Sequence, residues 1–161
     1  WLLDCKIKCI MFEEEIVNGY NISIFRVSKL NGGITMKFYI CPESQTVVEV
    51  VAGQPAPLTC DGKPMEELVP NSTNAAVEKH MPVLSAENGV LKVCVGEVEH
   101  PSIEKHWIPF VAVKAGDLVL RRSINATEKP EAIFPLGDFK GEVEVYAWCN
   151  LHGIWKATIT L

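Results

Sequence analysis

Several things are scarce in this 161-residue chain. No apolar run approaches the roughly 18 residues that cross a bilayer, which excludes a helical membrane span. There is no basic excess either: 15 Lys and Arg face 20 Asp and Glu, a net charge of -5. Without a basic face the chain is not expected to bind nucleic acid, and an anionic substrate would need a local cation at its site. The first residues hold Asp4, Lys6, Lys8 and Glu13 to Glu15, so no uninterrupted secretory core fits there. Six cysteines at irregular spacing, with no such signal, point to a reducing cytoplasm rather than a secreted disulfide framework. Amphipathic helical periodicity is missing too. With 48% hydrophobic and 22% charged residues, however, the chain can bury a core.

Histidine is scarce as well, and informatively placed. The four are His80, His100, His106 and His152, each beside an expected strand end or turn. His152 follows Cys149 by three positions in Tyr146-Ala147-Trp148-Cys149-Asn150-Leu151-His152-Gly153-Ile154-Trp155. A thiolate and an imidazole at that spacing can grip iron, copper or zinc from a hairpin loop. A core cysteine beside a loop histidine is the alternative reading of the stretch taken alone. His100 and His106 bracket a polar connector, and at His80 the following Pro82 forces Met81 to be extended and stops any helix. Together the four histidines and Cys149 form a possible set of five ligands.

Glu78-Lys79-His80 with Pro82-Val83, then a His-x5-His pair, then Cys149-Asn150-Leu151-His152-Gly153, in this order, resembles the superoxide reductase family of desulfoferrodoxins and neelaredoxins. The likeness covers about residues 75 to 161 and continues more weakly back to Met36. It implies one mononuclear non-haem iron held by His80, His100, His106 and His152 in a plane with Cys149 on the axis. It also implies one-electron reduction of superoxide to hydrogen peroxide as part of oxygen detoxification. In that scheme Lys79 is the local cation that draws superoxide and orders a proton-donating water, and Glu78 is the carboxylate that closes the open position. The triplet recurs at Glu104-Lys105-His106, but without the proline, so Glu78 and Lys79 carry the assignment. Trp107, Trp148 and Trp155 are expected to pack around the ligands, and Cys94 to lie in the core.

The segment from Met36 to Pro70 is similar to the small rubredoxin-like, or desulforedoxin-like, domain that precedes many members of this family. The four cysteines that hold iron there are reduced to Cys41 and Cys60, with Ser44 and Asp61 in the other two places. A soft four-thiolate site does not survive that change, so this domain is expected to keep its shape without its iron, with Cys41 and Cys60 packed as small apolar residues. Residues 1–35 are expected to be a leader or an unstructured extension, with Met36 as a native start. Asn-x-Ser/Thr triplets at Asn21, Asn71 and Asn125 have no secretory context.

Downstream of a polar linker at Val69 to Ala75 the pattern is β throughout. Strands are expected over Val90 to Val98, His106 to Lys114, Leu118 to Ile124, Ala132 to Phe134, Glu142 to Trp148 and Ile154 to Leu161. About seven short strands imply an all-β protein, an antiparallel β-sandwich of immunoglobulin-like architecture over 73–161, preceded by the small β domain over 36–72. A blue-copper carrier is the nearest rival, but it needs a methionine shortly after the second histidine, and none follows His152. A metal-free binding module would leave the order of the histidines unexplained, and a catalytic zinc site would need only three protein ligands. With the second iron absent, the electron must come from an external donor, for which the resemblance implies a rubredoxin-like protein; a homodimer is expected by the same analogy.

Overall fold

The computed structural model describes residues 36–53 and 57–161 in full, and before them the backbone of two strands. In chain order these are β1 (Phe12–Val17) and β2 (Tyr20–Arg26), then β3 (Lys37–Ile40), β4 (Val47–Val50), β5 (Thr59–Cys60), β6 (Lys63–Pro64) and β7 (Glu66–Glu67). One helical turn, α1 (Val77–His80), leads into β8 (Pro82–Glu87), β9 (Val90–Val95), β10 (Phe110–Ala115) and β11 (Leu118–Ser123). The chain ends with β12 (Glu131–Pro135), β13 (Glu142–Cys149) and β14 (Gly153–Thr160).

The sandwich is built from β8 to β14, and its strand pairs are antiparallel. One layer is the order β12-β9-β8, the other β11-β10-β13-β14, extended at the β11 edge by the hairpin of β2 and β1. Period-two alternation explains the core between them. Leu91, Val93 and Val95 of β9 point inward against Val111 and Val113 of β10, Phe134 of β12, and Val143, Val145, Ala147 and Cys149 of β13. Cys149 is therefore the last member of an inward row, fully buried at one end of the sandwich.

The second sheet is covered on its other face too. There Ala112, Val119, Tyr146, Trp148 and Ile154 pack against Met36 and Phe38, which brings β3 and the small strands around it onto the sandwich. The Phe38 ring lies 5.6 Å from Phe110 and 5.7 Å from Tyr146, and Arg121 on β11 pairs with Glu49 on β4. This double cover is why β13 has five consecutive buried residues at its end instead of alternating.

Several expectations change. The strand expected from His106 begins at Phe110, because Pro109 lacks an N–H for the ladder, and His106 sits instead in a loop bridged to Ile103. Cys94 is exposed rather than in the core, since the inward positions of β9 are Leu91, Val93 and Val95. Cys41 and Cys60 are not separate packing residues: their Cα atoms stand 6.0 Å apart at the tips of two hairpins and their sulfurs are joined in a disulfide. Of residues 1–35, expected as a leader or unstructured, 12–17 and 20–26 form the added hairpin, and the others lie outside the described residues. The expected stop at Met81 holds: α1 ends there in extended geometry, and β8 follows.

Candidate metal centre

Three separate pieces of chain meet at the end of the sandwich where β13 runs out. The first is α1. Its helical turn is too short to have stability of its own; it is fixed because Gly96 donates to Met81 O at 3.1 Å and Val98 donates to Glu78 O at 2.9 Å. Gly96 is needed for this approach. Its φ is +90°, and a Cβ there would lie 2.6 Å from Lys79 O and 2.5 Å from Val98 O. The second piece is the loop from His100 to His106. The third is the tight β13 to β14 turn, closed by Gly153 at φ +74°, where a Cβ would come within 2.8 Å of Thr73 Oγ1.

Asn150 joins the last two pieces. Its Oδ1 accepts from Trp107 N at 3.0 Å, its Nδ2 donates to Lys105 O at 3.0 Å, and its own N–H donates to Trp107 O at 3.3 Å. The side chain thus fixes the loop of His106 to the turn that carries Cys149 and His152.

The four imidazoles stand at the corners of a quadrilateral. Ring centroids along its edges are 4.9 Å from His80 to His100, 4.6 Å from His100 to His106, 4.9 Å from His106 to His152 and 4.7 Å from His152 back to His80. The His80 to His106 diagonal is 6.3 Å. Neighbouring rings are tilted by between 71° and 80°. Cys149 Sγ lies 3.5 Å from His152 Nδ1, which in turn faces His80 Nε2 at 3.0 Å. One ligand atom from each of His80, His106, Cys149 and His152 lies within 4.8 Å of every other.

The surroundings set which nitrogen is free. His80 Nδ1 donates to Ala76 O and His100 Nδ1 donates to Pro101 O, both at 2.7 Å, so in each ring Nε2 keeps its lone pair. Nε2 of His100 and of His106 are buried without a hydrogen-bond partner, a costly state for a polar atom that a bound metal ion relieves. Trp155 stacks on His80 at 5.0 Å and donates its Nε1–H to His152 O at 3.0 Å, which locks the turn from below.

Electrostatics favour the neutral, ligating imidazole. Burial lowers the pKa of His80, against the Ala76 hydrogen bond, and the His152 ring lowers it further. Burial takes His100 to about 4, and it also lowers His106, with His152, His80 and Lys79 adding to the effect. The Cys149 thiol is pushed up by burial, while the N–H groups of Leu151 and His152 pull it back down; a cation beside the sulfur supplies what thiolate formation otherwise lacks.

Of the five residues expected as ligands, His80, His106, Cys149 and His152 bring a ligand atom to one point, and the His100 ring stands beside them, 4.9 Å from His80 and 4.6 Å from His106, outside that group of four. Lys79 is half-buried at the rim, its charge felt by His80 and His106, and Glu78 is exposed beside it. Gly96 and Asn150 were not singled out by sequence reasoning. Asn150 stood inside the cysteine-histidine spacing, where a polar residue between two ligands was a usable signal; Gly96 at a strand end gave none.

Mixed imidazole and thiolate donors on a β-sandwich define a class: a β-protein with a mononuclear transition-metal centre. Residues 72–158 match the Desulfoferrodoxin family profile, described as desulfoferrodoxin. The chain belongs to the desulfoferrodoxin family. It is 40% identical over 122 residues to the desulfoferrodoxin of Syntrophotalea carbinolica, an alignment covering 76% of this chain and 95% of that protein. To the desulfoferrodoxin homolog of Methanothermobacter thermautotrophicus it is 38% identical over 121 residues, covering 75% of this chain and 97% of that one. Among solved structures, the superoxide reductase of Treponema pallidum superposes with a TM-score of 0.62 at 26% identity, covering 77% of this chain and 99% of that one.

Proposed function

We propose that the chain is a superoxide reductase: superoxide, one electron and two protons give hydrogen peroxide, with no oxygen formed. The reading rests above all on the ring of four imidazoles beside the buried Cys149 thiol, in which Nε2 of His100 and of His106 are buried without a hydrogen-bond partner. Relatives whose names or titles give that activity support it. His80, His100, His106, His152 and Cys149 would hold one iron, which when bound supplies the single electron that superoxide takes.

The remaining work falls to the chain. Lys79 Nζ supplies a local cation on a protein of net charge -5, and it orders the water that delivers the proton. Its charge reaches His80 and His106, and it is half-buried at the rim whereas Lys105 is exposed, which supports the choice of Glu78 and Lys79 over the second triplet. Glu78, exposed at the rim, serves as the carboxylate that closes the site between turnovers. Trp155 excludes water behind His80.

The division of labour follows. Residues 73–161 form the iron-bearing unit; 36–72 form a unit of the desulforedoxin kind without an iron, its two remaining cysteines being bonded to each other. The electron then comes from outside, from a rubredoxin-like donor, and the reaction serves oxygen detoxification in the cytoplasm. A homodimer completes the reading.

Purified protein is expected to hold about one iron per chain and to show a single thiolate-to-iron charge-transfer band when oxidised, without four-thiolate iron bands. Superoxide is expected to yield peroxide with no oxygen evolved. Lys79→Ala should cut the second-order rate about tenfold or more and Lys105→Ala should leave it unchanged; the reverse outcome, or a protein holding only zinc or copper, defeats the proposal.

A further inference from the structure

The mechanism above makes no use of Cys41 and Cys60. Their disulfide joins the tip of the β3 to β4 hairpin to the β5 to β6 hairpin, nineteen residues along. We propose that this bond is a redox-active pair that exchanges with low-molecular-weight thiols, a second and two-electron activity in the unit that lacks an iron.

Three observations carry the inference. The first is that neither hairpin depends on the link. The Cys41 turn is closed by Cys41 N–H to Thr46 O at 2.9 Å and Gln45 N–H to Cys41 O at 2.8 Å, with Gln45 in the left-handed region at φ 59°. The Cys60 turn is closed by the Cys60 to Lys63 pairing and by Met65 N–H to Leu58 O at 2.9 Å, with Asp61 at φ 47° and Gly62 at 76°. Phe38 and Met36 anchor the unit to the sandwich from elsewhere. Cleaving the bond therefore leaves both turns with their own hydrogen bonds.

The second is that the two sulfurs are unequally reachable. Cys41 is 1% exposed, whereas Cys60 is only half-buried, so an incoming thiolate meets Cys60 Sγ first. The third is a charged setting that a purely structural bond does not need. Glu43 Oε2 lies 3.8 Å from Cys41 Sγ and 3.9 Å from Cys60 Sγ, and the exposed Lys63 ammonium pairs with the same carboxylate. Lys63 offsets the negative charge of Glu43 that would otherwise repel an incoming thiolate.

The chemistry balances with a thiol RSH as reductant. Its thiolate attacks Cys60 Sγ, the Cys60 to Cys41 bond breaks, and the Cys41 sulfur leaves and takes a proton from water. A second thiolate attacks the Cys60 mixed disulfide, releasing RSSR, and Cys60 takes the second proton. Net, two RSH become RSSR and the protein gains two thiols.

The test uses the iron-loaded full chain under anaerobic conditions, with reduced glutathione as the thiol and quantitative alkylation read on the Cys41 and Cys60 peptides. Reduced glutathione in excess is expected to raise labelling of both cysteines about tenfold over untreated protein, without denaturant and with the circular dichroism unchanged. Cys41→Ser, offered oxidised glutathione in place of the reduced form, is expected to hold one glutathione on Cys60 with release of one reduced glutathione, because no second protein thiol remains to expel it. If both cysteines stay unlabelled until denaturant is added, or if labelling coincides with loss of the β signal, the bond is structural and the proposal fails. Should Cys41→Ser not fold, the wild-type labelling still decides. None of these readouts depends on the reaction with superoxide.

Discussion

At the level of single residues, the four imidazoles and the Cys149 thiol stand out in the sequence as candidate ligands because their chemistry is rare and their order in the chain distinctive. The residues that hold them in place do not, because their role depends on distances that only folding creates. Gly96 is the clearest case. With φ at +90° and carbonyl oxygens 2.5 and 2.6 Å from any added Cβ, Gly96→Ala has to push α1 away from β9. We expect a loss of about 2 to 3 kcal/mol in stability by chemical denaturation, together with reduced iron content, because the displaced turn carries His80. Asn150→Ala removes two hydrogen bonds that tie the His106 loop to the Cys149 turn. Outer-shell partners of this kind are worth about 10- to 100-fold in metal affinity, so iron should pass to a competing chelator at correspondingly lower chelator concentration, with the iron spectrum of freshly loaded protein little altered. Cys94 shows the reverse failure. Alternation places Cys94 in a strand but leaves open which of the two faces is buried, and in the fold Cys94 lies on the solvent face.

At the level of elements, β13 was legible over nearly its full length, while β8 was not. Pro82-Val83-Leu84-Ser85-Ala86-Glu87 is short and begins with a proline, and only its pairing with β9 makes it a strand. The outward face of β13 carries a cross-strand charge cluster. Glu144 is bonded at 2.6 Å to both Lys114 on β10 and Lys156 on β14, and it accepts from Tyr146 Oη at 2.5 Å. Burial alone would raise its pKa; the hydrogen bonds from Lys114, Lys156 and Tyr146 outweigh that and hold it at about 2, against an ordinary 4.5. Because the folded value is the lower one, the stabilisation is fully present above about pH 4.5 and disappears as the pH falls towards 2. Glu144→Gln should therefore cost about 2 kcal/mol at pH 7, and the gap between variant and parent should close across that acid window in urea titrations followed by circular dichroism.

At the level of the whole molecule, the sandwich was read correctly from strand number and spacing, since about seven strands is what β8 to β14 supply. What stayed hidden was long-range: that Met36 and Phe38 would cover the outer face of the second sheet, that a hairpin at 12–26 would extend its edge, and that two lone cysteines would find each other. The candidate metal centre is also a property of the whole, since the residues proposed to hold the ion come from a helical turn, a loop and a β-turn that are far apart in the sequence. A metal bound only by the folded form stabilises it by about 3 kcal/mol at a hundredfold excess over Kd. Stripping iron with a chelator should accordingly lower the melting temperature by roughly 8 °C, and adding ferrous iron anaerobically should restore it.

The inward row that runs Val143, Val145, Ala147, Cys149 has an evolutionary consequence. Hydrophobic packing and the placing of the candidate thiol ligand are measured along the same strand with the same two-residue ruler, so one inserted or deleted residue inside β13 would exchange the sulfur for Trp148 and turn the thiol outward. Length variation among descendants of this chain is thereby barred from that octapeptide and pushed into turns such as Asn125 to Pro130, where the count of residues has no bearing on what faces the candidate metal centre.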